Sequence, residues 1–227
     1  AHFWARQMTQ NSDTLTDTMR RHSLRLGAFA VGTALLLAVV YALTKDRIAD
    51  QRLATERAAL AEVFPLALHD NDLLDAAFIL QPDTAGFMQT HLLGLSTART
   101  AYAATLTGVG SGVILPLETA DGYSGTIVLM IGINAEGAIT GVRVVEHAET
   151  PGLGDKIDTA LSPWIRSFNS RSLPNTPEVL WQVKKDGGDF DQFVGATITP
   201  RAVVAAVHNA LLFFDANRER LLAGTTP

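Results

Sequence analysis

Leu26 to Leu43 reads LGAFAVGTALLLAVVYAL, eighteen residues without an Asp, Glu, Lys, Arg or His, and Thr44 makes nineteen. At about 1.5 Å per residue such a helix is roughly 28 Å long, close to the hydrocarbon thickness of a bilayer. Gly27, Gly32 and Thr33 are poor residues for a soluble helix but ordinary in a membrane span. A cleaved signal peptide is the rival reading. Its apolar core is shorter, about 7–15 residues, and is followed by a small-residue cleavage pattern. Here the run continues into Tyr41-Ala-Leu-Thr-Lys-Asp-Arg47, which has no such pattern. The segment therefore reads as an uncleaved anchor.

The flanks give the orientation. Arg20, Arg21 and Arg25 precede the span, and Lys45, Arg47, Arg52 and Arg57 follow it. The counts nearly balance, and the tight Arg20–Arg25 cluster favours a cytoplasmic N-terminus. Residues 45–227 carry a net charge of −7 and the whole chain −5, which argues against nucleic acid as the main partner. The chain has no Cys, so disulfides, thiolate metal sites and cysteine nucleophiles are excluded. The four expected regions are a flexible extension over 1–19, the flank and transmembrane helix over 20–44, a stalk helix over 45–65 and a folded domain over 66–227. Within the stalk, Ile48, Leu53, Leu60, Val63 and Phe64 follow an imperfect helical period, Pro65 ends it, and its expected role is a plain spacer.

Beyond the stalk, residues 66–112 are mixed, with short elements of open type and a flexible GVGSG turn at 108–112. The clearest strand signal is TIVLMIGI (126–133), an Asn134-Ala-Glu-Gly137 loop and AITGVRVVE (138–146), which predicts an antiparallel hairpin. HAETPGLGDKI (147–157) is broken by Pro151, Gly152 and Gly154 and reads as a loop entering a helix. A helix around Trp164 and Phe168, a strand over 178–183 and a loop over 184–189 are expected next. Thr199 as N-cap and Pro200 at the first helical position then open a last helix that runs to about Arg220. The fold class is α+β: one N-terminal transmembrane helix, then a mixed α+β domain with an antiparallel sheet.

Candidate chemistry concentrates at two places. Asp191-Gln-Phe-Val-Gly-Ala-Thr197 puts a Gly-Ala-Thr turn just before a helix, whose unpaired N–H groups and dipole suit a phosphate or other anion. Arg201 in the first turn is unfavourable beside that dipole unless an anion is bound. The plain alternative is an ordinary capped junction with a surface Arg. His69, His91 and His208 lack metal-ligand spacing, and there is no triad, Walker loop or dinucleotide fingerprint.

The D-x-x-x-G-A-T pattern resembles the flavinylation motif of the periplasmic FMN-binding domain family. HAETPGLGDKI resembles a second signature, found in the G subunits of Rnf-type electron-transport complexes. With the single span and the TKDRI that follows it, the likeness covers roughly residues 19–220. One departure stands out: the family usually has Ser or Thr before Gly-Ala-Thr, and this chain has Val194. That departure bears on a hydrogen bond from the position or on the efficiency of the modifying enzyme.

The resemblance implies FMN joined through its phosphate to the Thr197 hydroxyl by a separate flavin transferase, with Val194, Gly195 and Ala196 beside it. It also implies that Glu149, Thr150, Gly152, Leu153 and Gly154 line the flavin. His147, Tyr123, Lys184, Lys185 and Arg201 are further candidates, each with a plain alternative as a strand-end, turn or solvated side chain. No residue is expected to be catalytic and no metal is expected. The implied role is electron relay between flavins and other redox centres, within a complex that couples ferredoxin and NAD chemistry to Na⁺ or H⁺ movement. The span has no ionisable group for an ion path, so the other membrane subunits must supply it. The implied place is the bacterial inner membrane, with a periplasmic C-terminal domain. Two alternatives remain open from the sequence: the C subunit of a Na⁺-translocating NADH:quinone reductase, and a cofactor-free envelope scaffold.

Overall fold

The structure, a computed structural model, describes residues 2–223, with side chains from Thr18 onward. The chain divides into two compact units, Ala1–Thr55 and Glu56–Pro227.

Helix α1 runs from His2 to Val63, so the backbone is helical through most of the stretch read as a flexible extension, 1–19, and through 45–63. Among the described residues, this is the one helix long and apolar enough to cross a membrane. Its apolar stretch is bare on every side: Leu26, Phe29, Leu35, Leu36, Leu37 and Leu43 are all exposed. Such an exposed apolar surface suits a hydrocarbon solvent or the apolar faces of other membrane helices. Its hydroxyls are compatible with that solvent. Thr33 Oγ1 donates to the Phe29 carbonyl and Thr44 Oγ1 to the Val40 carbonyl, each at 2.8 Å.

The second unit is built on one five-stranded antiparallel meander, in order β1-β2-β3-β4-β5. The strands are β1 (Ala77–Leu80), β2 (Arg99–Leu106), β3 (Val109–Gly122), β4 (Gly125–Asn134) and β5 (Ile139–Glu146). The β4–β5 hairpin is the expected one, closed by Asn134 and Gly137, with Val142 opposite Ile131. GVGSG does not form a free turn: Val109 to Gly112 open β3 and pair with β2, the reversal falling at Thr107 and Gly108. The central strand β3 carries Pro116, which no strand pattern invites. The β2 register ends at Ile114, so at Pro116 the strand has a partner, Met130, on one side only.

Each sheet face has its own cover. Val113, Leu115, Leu117, Ile127, Leu129, Ile131 and Ile133 face the last helix, α2 (Ile198–Leu222), whose Val203, Val207, Leu211, Phe213 and Phe214 are fully buried against them. Each such side chain contributes about 1.5–3 kcal/mol by leaving water. Tyr102, Ala104 and Ile114 point the other way and meet Leu60, Val63 and Phe64. The end of the segment read as a spacer is therefore core. Thr140 Oγ1 donates to the Val63 carbonyl at 2.7 Å, and Gly132 leaves room for the same carbonyl, where any Cβ would collide.

Between β5 and α2 the chain makes only short 3₁₀ turns, at Gly154–Ile157, Trp164–Phe168, Glu178–Leu180 and Lys184–Asp186. The expected strand at 178–183 is a correction. Pro177 directs the chain into a 3₁₀ turn, and Val183 makes just one isolated bridge, with Phe190.

Candidate functional site

The GAT segment is held from below by aromatic packing. The Trp164 indole N–H donates to the Asp191 carbonyl at 2.7 Å, and its ring meets buried Phe193 edge-on at 5.0 Å. Phe193 to Ala196 then closes as a turn, Ala196 N–H donating to the Phe193 carbonyl at 3.2 Å. Gly195, third in that turn, has φ 84°, which a side chain would resist. Val194 projects from the turn and is 90% exposed. The Asp191 carboxylate pairs with Lys184 at 2.7 Å, and this pairing raises the lysine pKa.

Helix α2 starts two residues earlier than the sequence suggests. Its N-cap is Thr197, and Ile198 is the first helical residue. Thr199 is therefore not a cap but a fully buried residue of the first turn, and its hydroxyl donates to Glu149 Oε2. The Thr197 side chain makes no capping bond, so its hydroxyl is not committed to the helix.

The ETPGLG loop is equally ordered. Leu153 and Gly154 N–H both donate to the Thr150 carbonyl at 3.1 Å, and Gly152 N–H to Asp155 Oδ2 at 2.8 Å. Gly154 lies so close to the Glu149 carboxylate that a Cβ would sit 2.6 Å from Oε2. Glu149 is only 4% exposed and is no solvated loop acid.

These segments and the β3–β4 turn enclose one cleft of about 270 Å³. Tyr123, Glu149, Thr150, Leu153, Gly154, Gly195, Ala196 and Thr197 line it, together with Ile198, which sequence reasoning missed. The α2 N-terminus opens at this cleft, so unpaired N–H groups and the positive end of the dipole face the Thr197 hydroxyl's surroundings.

Six expected residues are not among those lining it, Lys184 being one of them, held by its pair with Asp191. Val194 and Gly152 stand beside it in sequence but are exposed. His147 accepts the Glu149 N–H on Nδ1 at 3.1 Å. Lys185 is exposed, its N–H donating to Gln192 Oε1. Arg201 is held by Asp186 through Nε–Oδ2 at 2.5 Å and a terminal nitrogen to Oδ1 at 2.7 Å. Two supporting residues were also missed: Ser124, whose N–H donates to Glu149 Oε1 at 3.0 Å, and Thr199. Ser124 carried no signal of its own, and Thr199 looked like a cap.

The chain matches the FMN-binding domain over residues 122–212 and the RnfG N-terminal region over residues 8–63. It is 50% identical to the G subunit of the ion-translocating oxidoreductase complex of Pseudomonas aeruginosa over 206 residues, 91% of this chain and 93% of that protein. The chain belongs to this G-subunit family. The Aliivibrio fischeri member is 42% identical, over 90% of this chain and 94% of its own, and the Yersinia pestis member 43%, over 87% and 91%. Among solved structures, NqrC of Shewanella oneidensis is 23% identical, with a TM-score of 0.42 over 67% of this chain and 74% of its own.

Every lining residue of the cleft falls within the FMN-binding domain match. The donor set fits that nucleotide: an uncommitted hydroxyl and a helix N-terminus suit the phosphate, while Tyr123, Leu153 and the Gly154 backbone offer flat, apolar surface. Among the described residues, no group of His, Asp and Glu is placed to hold a metal ion.

Proposed function

We propose that this chain is the membrane-anchored flavoprotein subunit of an Rnf-type ferredoxin:NAD oxidoreductase complex coupled to ion translocation, and that it carries FMN as a phosphoester on Thr197. The observation that carries this reading is the meeting of three distant segments, around 123, 149–154 and 195–198, in one cleft at a helix N-terminus that presents a free threonine hydroxyl.

Attachment is a group transfer from FAD. The Thr197 oxygen bonds to the phosphorus on the flavin side, the pyrophosphate bond breaks, AMP leaves, and the hydroxyl proton passes to a base. No electrons move in this step. A threonine hydroxyl is a weak nucleophile, so its activation, including the base that takes its proton, belongs to a separate flavin transferase. The bound FMN supplies the electron-carrying chemistry. This chain's residues do the rest: Thr197 retains the cofactor, the α2 N-terminus stabilises the phosphate charge, and the ETPGLG loop shapes the cleft wall. Other membrane subunits of the complex donate and accept the electrons.

The reading places the anchor in the bacterial inner membrane with the N-terminus cytoplasmic and the FMN domain periplasmic. A C-terminal alkaline phosphatase fusion is active if this is right and silent if the domain is cytoplasmic. Flavin attachment is tested by in-gel fluorescence of denatured protein co-expressed with a flavin transferase. Wild type fluoresces and Thr197→Ala, though folded, stays dark; flavin retained covalently in that variant contradicts the assignment.

A further inference from the structure

A buried carboxylate with no basic partner is costly, and Glu149 is one: none of the ion pairs among the described residues includes it. Its charge is stabilised instead by three kinds of dipole. Oε1 accepts the Ser124 N–H at 3.0 Å, Oε2 accepts the Thr199 hydroxyl, and Thr199 lies in the first turn of α2, at the positive end of the helix. The same carboxylate touches the β3–β4 turn, the ETPGLG loop and the start of α2. Two glycines make room for it: a Cβ on Gly154 would lie 2.6 Å from Oε2 and 2.9 Å from Thr199 Oγ1, and one on Gly122 2.9 Å from Oε1. Both of its oxygens are already engaged within the protein wall.

We propose that Glu149 is a positioning residue for flavin attachment: through the Thr199 hydroxyl its carboxylate fixes the first turn of α2 and so sets where Thr197 stands in the cleft. This rests on the reading of Thr197 as the acceptor. Group transfer is steep in geometry, and a displacement of an ångström in the attacking oxygen costs about a hundredfold in rate. Thr197 is two residues from the clasp and has no side-chain bond of its own to hold it. Glu149 therefore does for the apo chain what a cap would otherwise do, while leaving the acceptor hydroxyl free.

The test uses the full chain in detergent, FAD and a flavin transferase. Attachment is followed by intact mass at a temperature well below unfolding. Thr199→Val keeps the shape and removes the hydroxyl; it slows attachment at least tenfold, and Thr199→Ser restores it to within about twofold. Glu149→Ala slows it comparably. Glu149→Gln can still accept from Ser124 and donate to Thr199, so it stays within a few-fold of wild type. Amide exchange at 195–199 in the flavin-free chain speeds up in Thr199→Val and not in Thr199→Ser. Wild-type rates and exchange in Thr199→Val overturn the proposal, and they do so even if Glu149→Ala fails to fold. A wild-type chain that takes up no flavin refutes the acceptor assignment itself, whereas normal loading with indifferent Thr199→Val refutes only the clasp.

Discussion

Arg201 and Asp186 form a two-point ion pair, Nε to Oδ2 at 2.5 Å and a terminal nitrogen to Oδ1 at 2.7 Å. The one cation in the first turn of α2 thus has its counter-ion within the protein. The Arg201 bond holds the Asp186 carboxyl below the usual carboxylate range, and the same bond raises the guanidinium pKa. With its folded pKa depressed, Asp186 keeps the pair intact at neutral pH and gives it up only as pH falls through that lowered value. Arg201→Ala is expected to load flavin to within about twofold of wild type by intact mass, since a group already paired has little left for a phosphate. A loss of loading tenfold or greater would put Arg201 back at the cofactor.

Glu118 is the buried acid with the firmest partners. Arg99 Nε donates to Oε1 at 2.6 Å, and the Ser96 N–H and hydroxyl donate to Oε2 at 2.9 and 2.6 Å. Burial pushes the Glu118 carboxyl up, but the Ser96 bonds and the Arg99 guanidinium outweigh it and hold the group below its ordinary value. A depressed folded pKa means stability that is present above the unfolded value, about 4.3, and lost as pH falls through the folded one. Urea unfolding of the full chain in detergent should therefore weaken below about pH 4.3, and Glu118→Gln should flatten that dependence. At neutral pH, Glu118→Ala is expected to cost about 2–3 kcal/mol, below the figure for a fully buried pair because Arg99 is a third exposed.

Asn217 behaves as a piece of strand edge. Its Oδ1 accepts the Met88 N–H at 2.7 Å and its Nδ2 donates to the Met88 carbonyl at 2.9 Å and the Phe213 carbonyl at 2.8 Å. Asn217→Ala removes all three bonds; Met88 is 59% exposed, so water can reach its freed backbone groups, and the expected cost is about 1–2 kcal/mol in chemical unfolding. The flavin cleft lies elsewhere on the domain, so flavin loading at 25 °C should not change.

Val194, where the family usually carries Ser or Thr, projects into solvent and does not line the cleft. Val194→Thr should move stability by no more than about 0.5 kcal/mol in thermal or urea unfolding. Its loading by a flavin transferase should change no more than about twofold. A larger gain would show that the hydroxyl is read by the transferase.

The β4–β5 hairpin was legible because two β-branched runs flank an Asn-x-x-Gly loop, and both elements fall within a residue or two of expectation. The central strand β3 was not. Gly110, Gly112 and Pro116 are strand-averse, and what admits them is tertiary: Phe64 lies over Gly112, and Pro116 has a partner on one side only. EVLWQV (178–183) has strand-like composition, but Trp181 is stacked on Phe190 and His208 and no sheet edge receives it. Eight of the fourteen site residues named from the sequence meet in one cleft because motif spelling reports them residue by residue. The Glu149–Thr199 bond joins positions fifty apart, and no local pattern announces it.

The central claim is one covalent bond. Peptide mass spectrometry across residues 186–201, on protein purified from its native host, tests it most directly. The expected result is a peptide heavier by one FMN less one water, with fragments that place the addition on Thr197. A bare peptide, or flavin found on another residue, contradicts it.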